Sequence, residues 1–381
     1  MERFDVAVIG SGPSGASAAF HLAKKGLKTV LIEKEFLPRY KTCGGGLVYR
    51  GRTGLSFDVS SVIDREFYSI DIFFKGTNAP INTQKSKPII SMIMRDSFDH
   101  LIVQEAQKYG VTLLQGQKAE SISMGEYAVI NTSQQALEAR FVIAADGALS
   151  PVAKMAGWPE TRLMCPALEY EIKVSDADFA RLSTAVRFDI DATPYGYAWC
   201  FPKKDHLSVG VGCFMKNDFK ISLKASYQDY LKTLGIHEVL EEQAHGFIIP
   251  INARKDGFVK GNVFLIGDAA GFADPVTAEG ISNAIFSGCL VAEAIIESDM
   301  NLNRAAQLYQ SKLAESLLPQ LQTAGKLAKI FYKYKTFRDI FLKLFGNKIS
   351  DIMADVFMGE RSYPKDLKAS IFRNLKKIIF N

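Results

Sequence analysis

Disulfide chemistry has little material in this chain of 381 residues: its five cysteines, Cys43, Cys165, Cys200, Cys213 and Cys289, form no CxxC pair, and an odd count suits no closed set of bridges. That scarcity favours a reducing compartment. Metal chemistry is equally short of ligands, since His21, His100, His206, His237 and His245 fall at no ligand spacing and read as surface or core residues. The sequence has no uninterrupted apolar run of about eighteen residues, so it predicts no bilayer-spanning helix. Its start, Phe4-Asp5-Val6-Ala7-Val8-Ile9, enters a strand pattern at once and leaves no room for a targeting segment, which makes cytoplasmic the expected location.

What is there is ordinary for a globular protein, with 48% hydrophobic and 23% charged residues and length enough for two joined units. The formal charge of +5 is unevenly spread: residues 301–381 hold 15 Lys and Arg against 6 Asp and Glu, a net of +9, leaving −4 for residues 1–300. A uniformly basic surface for nucleic acid is therefore not expected, and no nucleic-acid motif is present. The basic tail suits an anionic lipid surface, such as the inner face of a membrane.

Along the chain, residues 5–9, 14–25 and 29–32 read as strand, helix and strand around a glycine turn, with Gly26 as the helix stop. The stretch 66–94 alternates like strands, 96–109 is helical, and short strands follow as far as 141–145. From 166 to 250 the pattern is β-branched and aromatic, with one helix at 222–234. A buried strand returns at 261–267, a helix spans 281–297, and 304–345 is helical with Pro319 as a break. This divides the chain into a nucleotide-type unit (1–65, 90–165 and 255–300), a sheet unit (66–89 and 166–254) and a basic, amphipathic helical region (301–381).

Gly10-Ser11-Gly12-Pro13-Ser14-Gly15 sits between the first strand and helix, where Gly10, Gly12 and Gly15 let the backbone approach a pyrophosphate and the helix N-terminus from Ser14 offers N–H donors. Glu33 ends the second strand, placed to accept hydrogen bonds from ribose hydroxyls. A second such signature, Gly267-Asp268, follows a strand far downstream, and Glu279-Gly280-Ile281 opens the next helix. Together they suit FAD, with ribityl hydroxyls at Asp268 and the flavin beside the Gly280 and Ile281 amides. A third element, Asp146-Gly147, also closes a strand.

These three elements resemble the FAD-dependent oxidoreductases related to p-hydroxybenzoate hydroxylase over nearly all of residues 1–300. The resemblance implies an α/β fold: a Rossmann-like FAD-binding domain, an inserted antiparallel-sheet substrate domain and a C-terminal helical region. It implies that Arg95 reaches the FAD phosphate or ribose and that Ala119 makes a backbone contact to adenine. Two further stretches, Pro38-Arg39-Tyr40-Lys41-Thr42-Cys43-Gly44-Gly45-Gly46 and Pro194-Tyr195-Gly196-Tyr197-Ala198-Trp199-Cys200-Phe201-Pro202, resemble the geranylgeranyl reductase family. Lys203 continues the match. By that resemblance Cys43, Gly44 and Gly46 lie beside the flavin. One departure is Ala278-Glu279-Gly280, where many relatives have Gly-Glu-Gly; its methyl group would narrow the flavin's surroundings.

Hydride delivery to an isolated C=C bond needs a long apolar slot that excludes water, and Tyr197 and Trp199, two apart on a strand, would face it together. An ordinary hydrophobic strand stays an alternative for this segment, as does a buried packing thiol for Cys43 against a place near the protonated carbon. The implied function is an FAD-dependent reductase saturating C=C bonds of a geranylgeranyl or polyprenyl group on a lipid, diphosphate or pigment precursor. Its rivals are a flavin monooxygenase or halogenase, and a lipid-binding protein using FAD structurally. No second complete GxGxxG exists for NAD(P)H, so the electron donor is either that nucleotide or a small redox carrier. Finally, Leu327, Ile330, Phe331, Tyr334, Phe337, Ile340, Phe341, Leu344 and Phe345 recur at helical spacing, with Lys326, Lys329, Lys333, Arg338 and Lys343 on other faces and a second basic-apolar segment at 371–380. Packing on the body and binding at a lipid interface are both open for this region.

Overall fold

The run Val6-Ala7-Val8-Ile9 has no polar side to turn to water, so it forms a strand covered on both faces. This strand, β1 (Glu2–Ile9), lies inside an eight-stranded sheet in the computed structural model, which describes residues 1–74, 79–214 and 221–364. Beside it run β2 (Thr29–Glu33), β8 (Thr112–Gln115), β11 (Ala136–Ala144) and β18 (Val263–Leu265) in the order β18-β11-β1-β2-β8, each parallel to its neighbour. A short edge strand, β17 (Val259–Lys260), and a flap of β9 (Ala119–Ser123) and β10 (Ala128–Thr132) pair antiparallel. Register aligns Ile9 with Ala144 and Ala144 with Leu265. Gly10, Asp146 and Asp268 therefore leave the sheet side by side at its carboxyl edge, where open α/β sheets bind ligands.

A second sheet has seven strands in the order β16 (Glu241–Pro250), β12 (Met164–Lys173), β15 (Leu207–Cys213), β14 (Gly196–Pro202), β13 (Val186–Ile190), β5 (Ser69–Phe74) and β6 (Ile81–Gln84). All neighbours are antiparallel except β13 and β5. Alternation gives β14 two buried faces: Ala198 and Cys200 pack with Val209, Val211 and Tyr230 on one side, while Tyr197, Trp199 and Phe201 face the other. Burying each of these three rings contributes about 2–3 kcal/mol relative to leaving it in water. A small third sheet joins β3 (Gly46–Val48), β7 (Ile90–Ile93) and β4 (Ile63–Phe67).

Eleven α-helices occur among the described residues: α1 (Pro13–Lys24), α2 (Tyr49–Thr53), α3 (Arg95–Gln107), α4 (Pro151–Met155), α5 (Asp176–Leu182), α6 (Leu223–Thr233), α7 (Gly267–Ala270), α8 (Ile281–Glu297), α9 (Leu302–Glu315), α10 (Leu317–Lys333) and α11 (Lys335–Met358). Pro13 opens α1, where a missing N–H costs nothing.

The C-terminal helices correct the sequence expectation in two ways. Pro319 breaks nothing, because it lies in the first turn of α10, whose N–H groups have no intrahelical acceptor; the chain instead turns at Ser316 and Tyr334, and α11 runs on past residue 345. Arg338, expected off the apolar stripe, is buried with Leu342 and Ser350 and pairs with Asp191, while the stripe's Phe337, Ile340 and Leu344 are 57%, 56% and 67% exposed. The apolar stripe of α11 thus looks outward. No helix among the described residues is long and apolar enough to cross a membrane. The segment 371–380 lies outside the described residues.

Candidate active site

The glycine loop is set by what surrounds it. Gly10 has φ +103°, and a Cβ there would stand 2.4 Å from the Ala145 carbonyl oxygen at the end of β11, so no other residue fits. Gly15 is turned inward against the Gly10 carbonyl; it seats α1 on the sheet and does not reach the cavity that the other expected site residues line. Gly12 caps α1 with no side-chain acceptor and no acid in the first turn, which leaves backbone N–H groups available to an anion.

Glu33 holds this loop. Its Oε2 accepts from the Ser11 amide at 3.0 Å and the Ser11 hydroxyl at 2.6 Å, and its Oε1 accepts from the Glu35 amide at 3.1 Å. Burial alone would raise its pKa, but Arg39, 3.4 Å away, and the Ser11 bonds outweigh it and keep the carboxylate ionised. Oε1 retains a lone pair for one further donor.

Beyond the loop, Asp146 accepts from the Ser150 hydroxyl (2.7 Å) and the Val152 amide (2.8 Å), tying the end of β11 to α4. Asp268 sits in α7, whose carbonyl end is held by two buried arginines: Arg162 donates to the Asp268 oxygen and Arg254 to the Ala269 oxygen. Burial raises the pKa of Asp268 against the pull of Lys41, Arg95 and Arg162. At the head of α8, Gly280 is an N-cap without a side-chain acceptor, and Glu279 accepts from the Ser282 amide while pairing with Arg50.

Three cations converge opposite the glycine loop. Arg95 grips the buried Asp99 through two bonds of 2.8 Å, and Arg39 reaches the same carboxylate at 3.1 Å. Burial works against the charge on Arg95, but Asp99 more than compensates, with Cys43 a further polar neighbour. Burial and the charge of Arg95 bring Lys41 down to about 8, opposed by Asp268, and its ammonium lies 3.3 Å over the Phe247 ring.

One cavity of about 760 Å³ joins these parts to the aromatic face of the second sheet. Glu33, Arg95, Ala119, Asp146, Gly147 and Asp268 line it together with Cys43, Gly44, Gly46, Gly280 and Ile281, and so do Tyr197 and Trp199. Uncapped helix amides, a cation cluster and a glycine cradle make a donor set that fits a dinucleotide pyrophosphate.

The aromatic wall and the Cys43 loop shape one another. A Cβ on Gly44 would stand 2.9 Å from Trp199 Nε1, and one on Gly46 would stand 3.2 Å from the Phe201 ring. Gly45, at φ +65°, faces Lys203 and the Ile93 carbonyl. Lys203 is fully buried and donates to the Gly44 and Ile93 oxygens at 2.6 and 2.9 Å, which fixes this loop. Cys43 Sγ accepts from the Gly45 amide at 3.4 Å. The Tyr197 hydroxyl donates to the Thr277 carbonyl, and the buried indole N–H of Trp199 has no hydrogen-bond partner, so a donor is left at the cavity wall. Ala278, the residue that departs from Gly, takes φ +55°, a left-handed conformation.

Sequence reading passed over Lys41, Arg39 and Glu169 as cavity residues, although the first two stand inside a stretch it singled out. It also set His206 aside, yet that ring lies between Glu171 and Asp205. Among the described residues no cluster could hold a metal ion.

The family model described as FAD binding domain matches residues 3–298. A chloroplastic geranylgeranyl diphosphate reductase from Nicotiana tabacum is 30% identical, over 96% of this chain and 84% of its own length. A digeranylgeranylglycerophospholipid reductase from Methanococcus aeolicus is 27% identical, over 98% of this chain and 95% of its own. Among solved structures, a geranylgeranyl bacteriochlorophyll reductase-like protein from Thermoplasma acidophilum superposes with a TM-score of 0.77 at 26% identity, covering 93% of this chain and 92% of that one.

Proposed function

The chain belongs to the geranylgeranyl reductase family of FAD-dependent oxidoreductases, and from that premise we propose that it saturates C=C bonds in a geranylgeranyl or related polyprenyl group carried on a lipid, diphosphate or pigment precursor. The observation that carries this reading is one continuous cavity lined both by the glycine loop, Glu33, Arg95 and Asp268 and by Tyr197, Trp199 and Phe201.

FAD, when bound, supplies the hydride for such a reduction. Residues 1–65, 90–165 and 255–300 would form its domain. The α1 amides at Gly12 and Ser14, with Arg39 and Arg95, would take the pyrophosphate, and Gly10 would let it approach. Glu33 would meet the ribose, the Ala119 backbone the adenine, Asp268 the ribityl chain, and the Gly280 and Ile281 amides the ring system, with Asp146 and Gly147 shaping the floor. The sheet unit (66–89 and 166–254) would hold the prenyl chain: Tyr197 and Trp199 orient it and exclude water, and Cys43, Gly44 and Gly46 bound the reacting end.

Anaerobic reoxidation of the chemically reduced protein by geranylgeranyl lipids tests the reading. The expected result is loss of the reduced-flavin spectrum with a product heavier by hydrogen pairs. Reoxidation only when air is admitted would favour the oxygen-using alternative. Whether NAD(P)H or a small redox carrier loads the electrons is read from which of them bleaches the oxidised flavin.

The outward stripe of α11 supports a contact with an anionic lipid surface. Phe337, Ile340 and Leu344 stand exposed between Lys335, Lys343 and Lys348, a pairing of apolar and basic side chains suited to the headgroup boundary. Such a contact would bring a membrane-borne substrate to the protein.

A further inference from the structure

Saturating a C=C bond consumes a proton as well as a hydride, and the cavity wall holds a carboxyl group that neither the cofactor nor the prenyl platform uses. Glu169 on β12 lies in a row that crosses the second sheet: Phe188 pairs with Trp199, Trp199 with Gly210, Gly210 with Glu169, and Glu169 with His245. Because Gly210 has no side chain, nothing on that strand stands between the indole and the carboxyl. Glu169 is 2% exposed, lines the cavity, accepts from the Ser208 hydroxyl at 3.1 Å through Oε1, and has no hydrogen-bond partner for Oε2.

Two residues along the same strand face, Glu171 lies 3.1 Å from His206 Nε2, and His206 Nδ1 lies 2.8 Å from Asp205, whose side chain is 71% exposed. The two carboxyls influence each other's protonation, so Asp205, His206, Glu171 and Glu169 stand in sequence between solvent and the cavity. We propose that Glu169 is the acid that protonates the substrate carbon not receiving the hydride, refilled from solvent through Glu171, His206 and Asp205. The proposal rests on the prenyl-reductase reading above. In the step, the Glu169 O–H bond breaks and a C–H bond forms with the alkene electron pair, while the hydride from the two-electron-reduced FAD completes the other carbon. The carboxylate then takes a proton from the His206 imidazolium by way of Glu171, and His206 takes one from water.

The electrostatics agree with this division of labour. Burial and the neighbouring charge of Glu171 raise Glu169, which keeps its proton at neutral pH. Burial would also raise Glu171, but His206 and Lys203 hold it down and ionised. Burial lowers His206, and Glu171 and Asp205 more than reverse that. The other groups facing these four are Lys203 after β14, Asp64 on β4, His245 on β16, and Tyr40, whose ring lies 4.1 Å from that of His245.

Infrared difference spectroscopy and rapid kinetics on the FAD-loaded full chain test the proposal. A protonated-carboxyl C=O band is expected in the wild type at neutral pH and should vanish in Glu169→Gln. That variant should keep FAD and slow the first turnover roughly a hundredfold or more. His206→Gln should keep the band and a normal first turnover but slow every later one. A wild type without the band, or a Glu169→Gln protein with an unchanged first turnover, overturns the assignment. If the wild type reduces no prenyl lipid, the reductase reading has failed. The band alone then decides whether Glu169 is a proton-holding acid of the cavity.

Discussion

Trp199 lies flat against Gly210, so closely that a methyl group on the glycine would stand 2.1 Å from the indole Cζ2. The ring occupies the space that a side chain on β15 would fill, and its buried N–H ends beside Gly44. Two sequence motifs separated by some 150 residues are thereby interlocked. Gly210→Ala should lift the indole off the sheet and cost about 1–3 kcal/mol of stability as an overpacked contact. FAD should stay bound while prenyl turnover falls. Thermal melting and tryptophan emission check this, since Trp158 is the only other indole in the chain.

Tyr197 and Trp199 have separable jobs. Tyr197→Phe removes the bond to the Thr277 carbonyl, worth about 1 kcal/mol, and should loosen the loop before α8. Trp199→Ala empties a packed site at a cost of about 3–5 kcal/mol and should raise the KM for prenyl substrate more than it weakens FAD. Steady-state kinetics beside flavin titration distinguishes the two; equal losses of both ligands from Trp199→Ala would make the ring core, not platform.

FAD affinity should depend on pH through Lys41. Its pKa in the unliganded protein is about 8, so below that value the ammonium is charged and ready for an anion, and above it binding must take up a proton. Affinity should therefore fall as pH rises through 8, with proton uptake measurable by calorimetry in two buffers of different ionisation enthalpy. Lys41→Gln should bind more weakly below pH 8 and show a flatter profile.

Arg338 and Asp191 form a buried pair between α11 and the turn after β13. Arg338→Ala leaves Asp191 only the half-exposed Lys335, 3.2 Å away, and should cost less than the roughly 3–5 kcal/mol of a buried charge with no partner, read in a denaturant titration. Arg338→Lys should recover only part of that, because lysine lacks the planar fork that reaches both Asp191 and Asp339.

Phe337→Glu together with Leu344→Glu should do the reverse: melting changes by about 0.5 kcal/mol or less per site, since both side chains face solvent, while pelleting with anionic vesicles is lost. Pelleting that survives these substitutions would put the lipid contact elsewhere.

What the sequence could tell followed from how local the constraint was. Gly10, Asp146 and Asp268 were legible because a strand end, a tight turn and a helix start are demands made by a few neighbouring residues. Glu169 was not, because only the cross-strand register sets it in a row with Trp199, and register is settled by pairing over the whole sheet. Lys41 and Arg39 stood inside a recognised stretch, but a cation's burial depends on the acids that other elements bring to it, here Asp99 and Asp268. On α11 the spacing of the apolar residues was visible, yet periodicity does not say which face looks inward, and Asp191 gave that place to Arg338.

The undivided cavity has a consequence for the order of assembly. Because the glycine loop and the rings of β14 line the same cavity, a cofactor seated against the loop would form the floor on which a prenyl chain lies. Substrate arriving first would meet an unfinished site and could sink into space meant for the cofactor. FAD is then expected to load before the lipid, and a bound lipid chain to slow its release, which flavin dissociation followed with and without prenyl lipid checks.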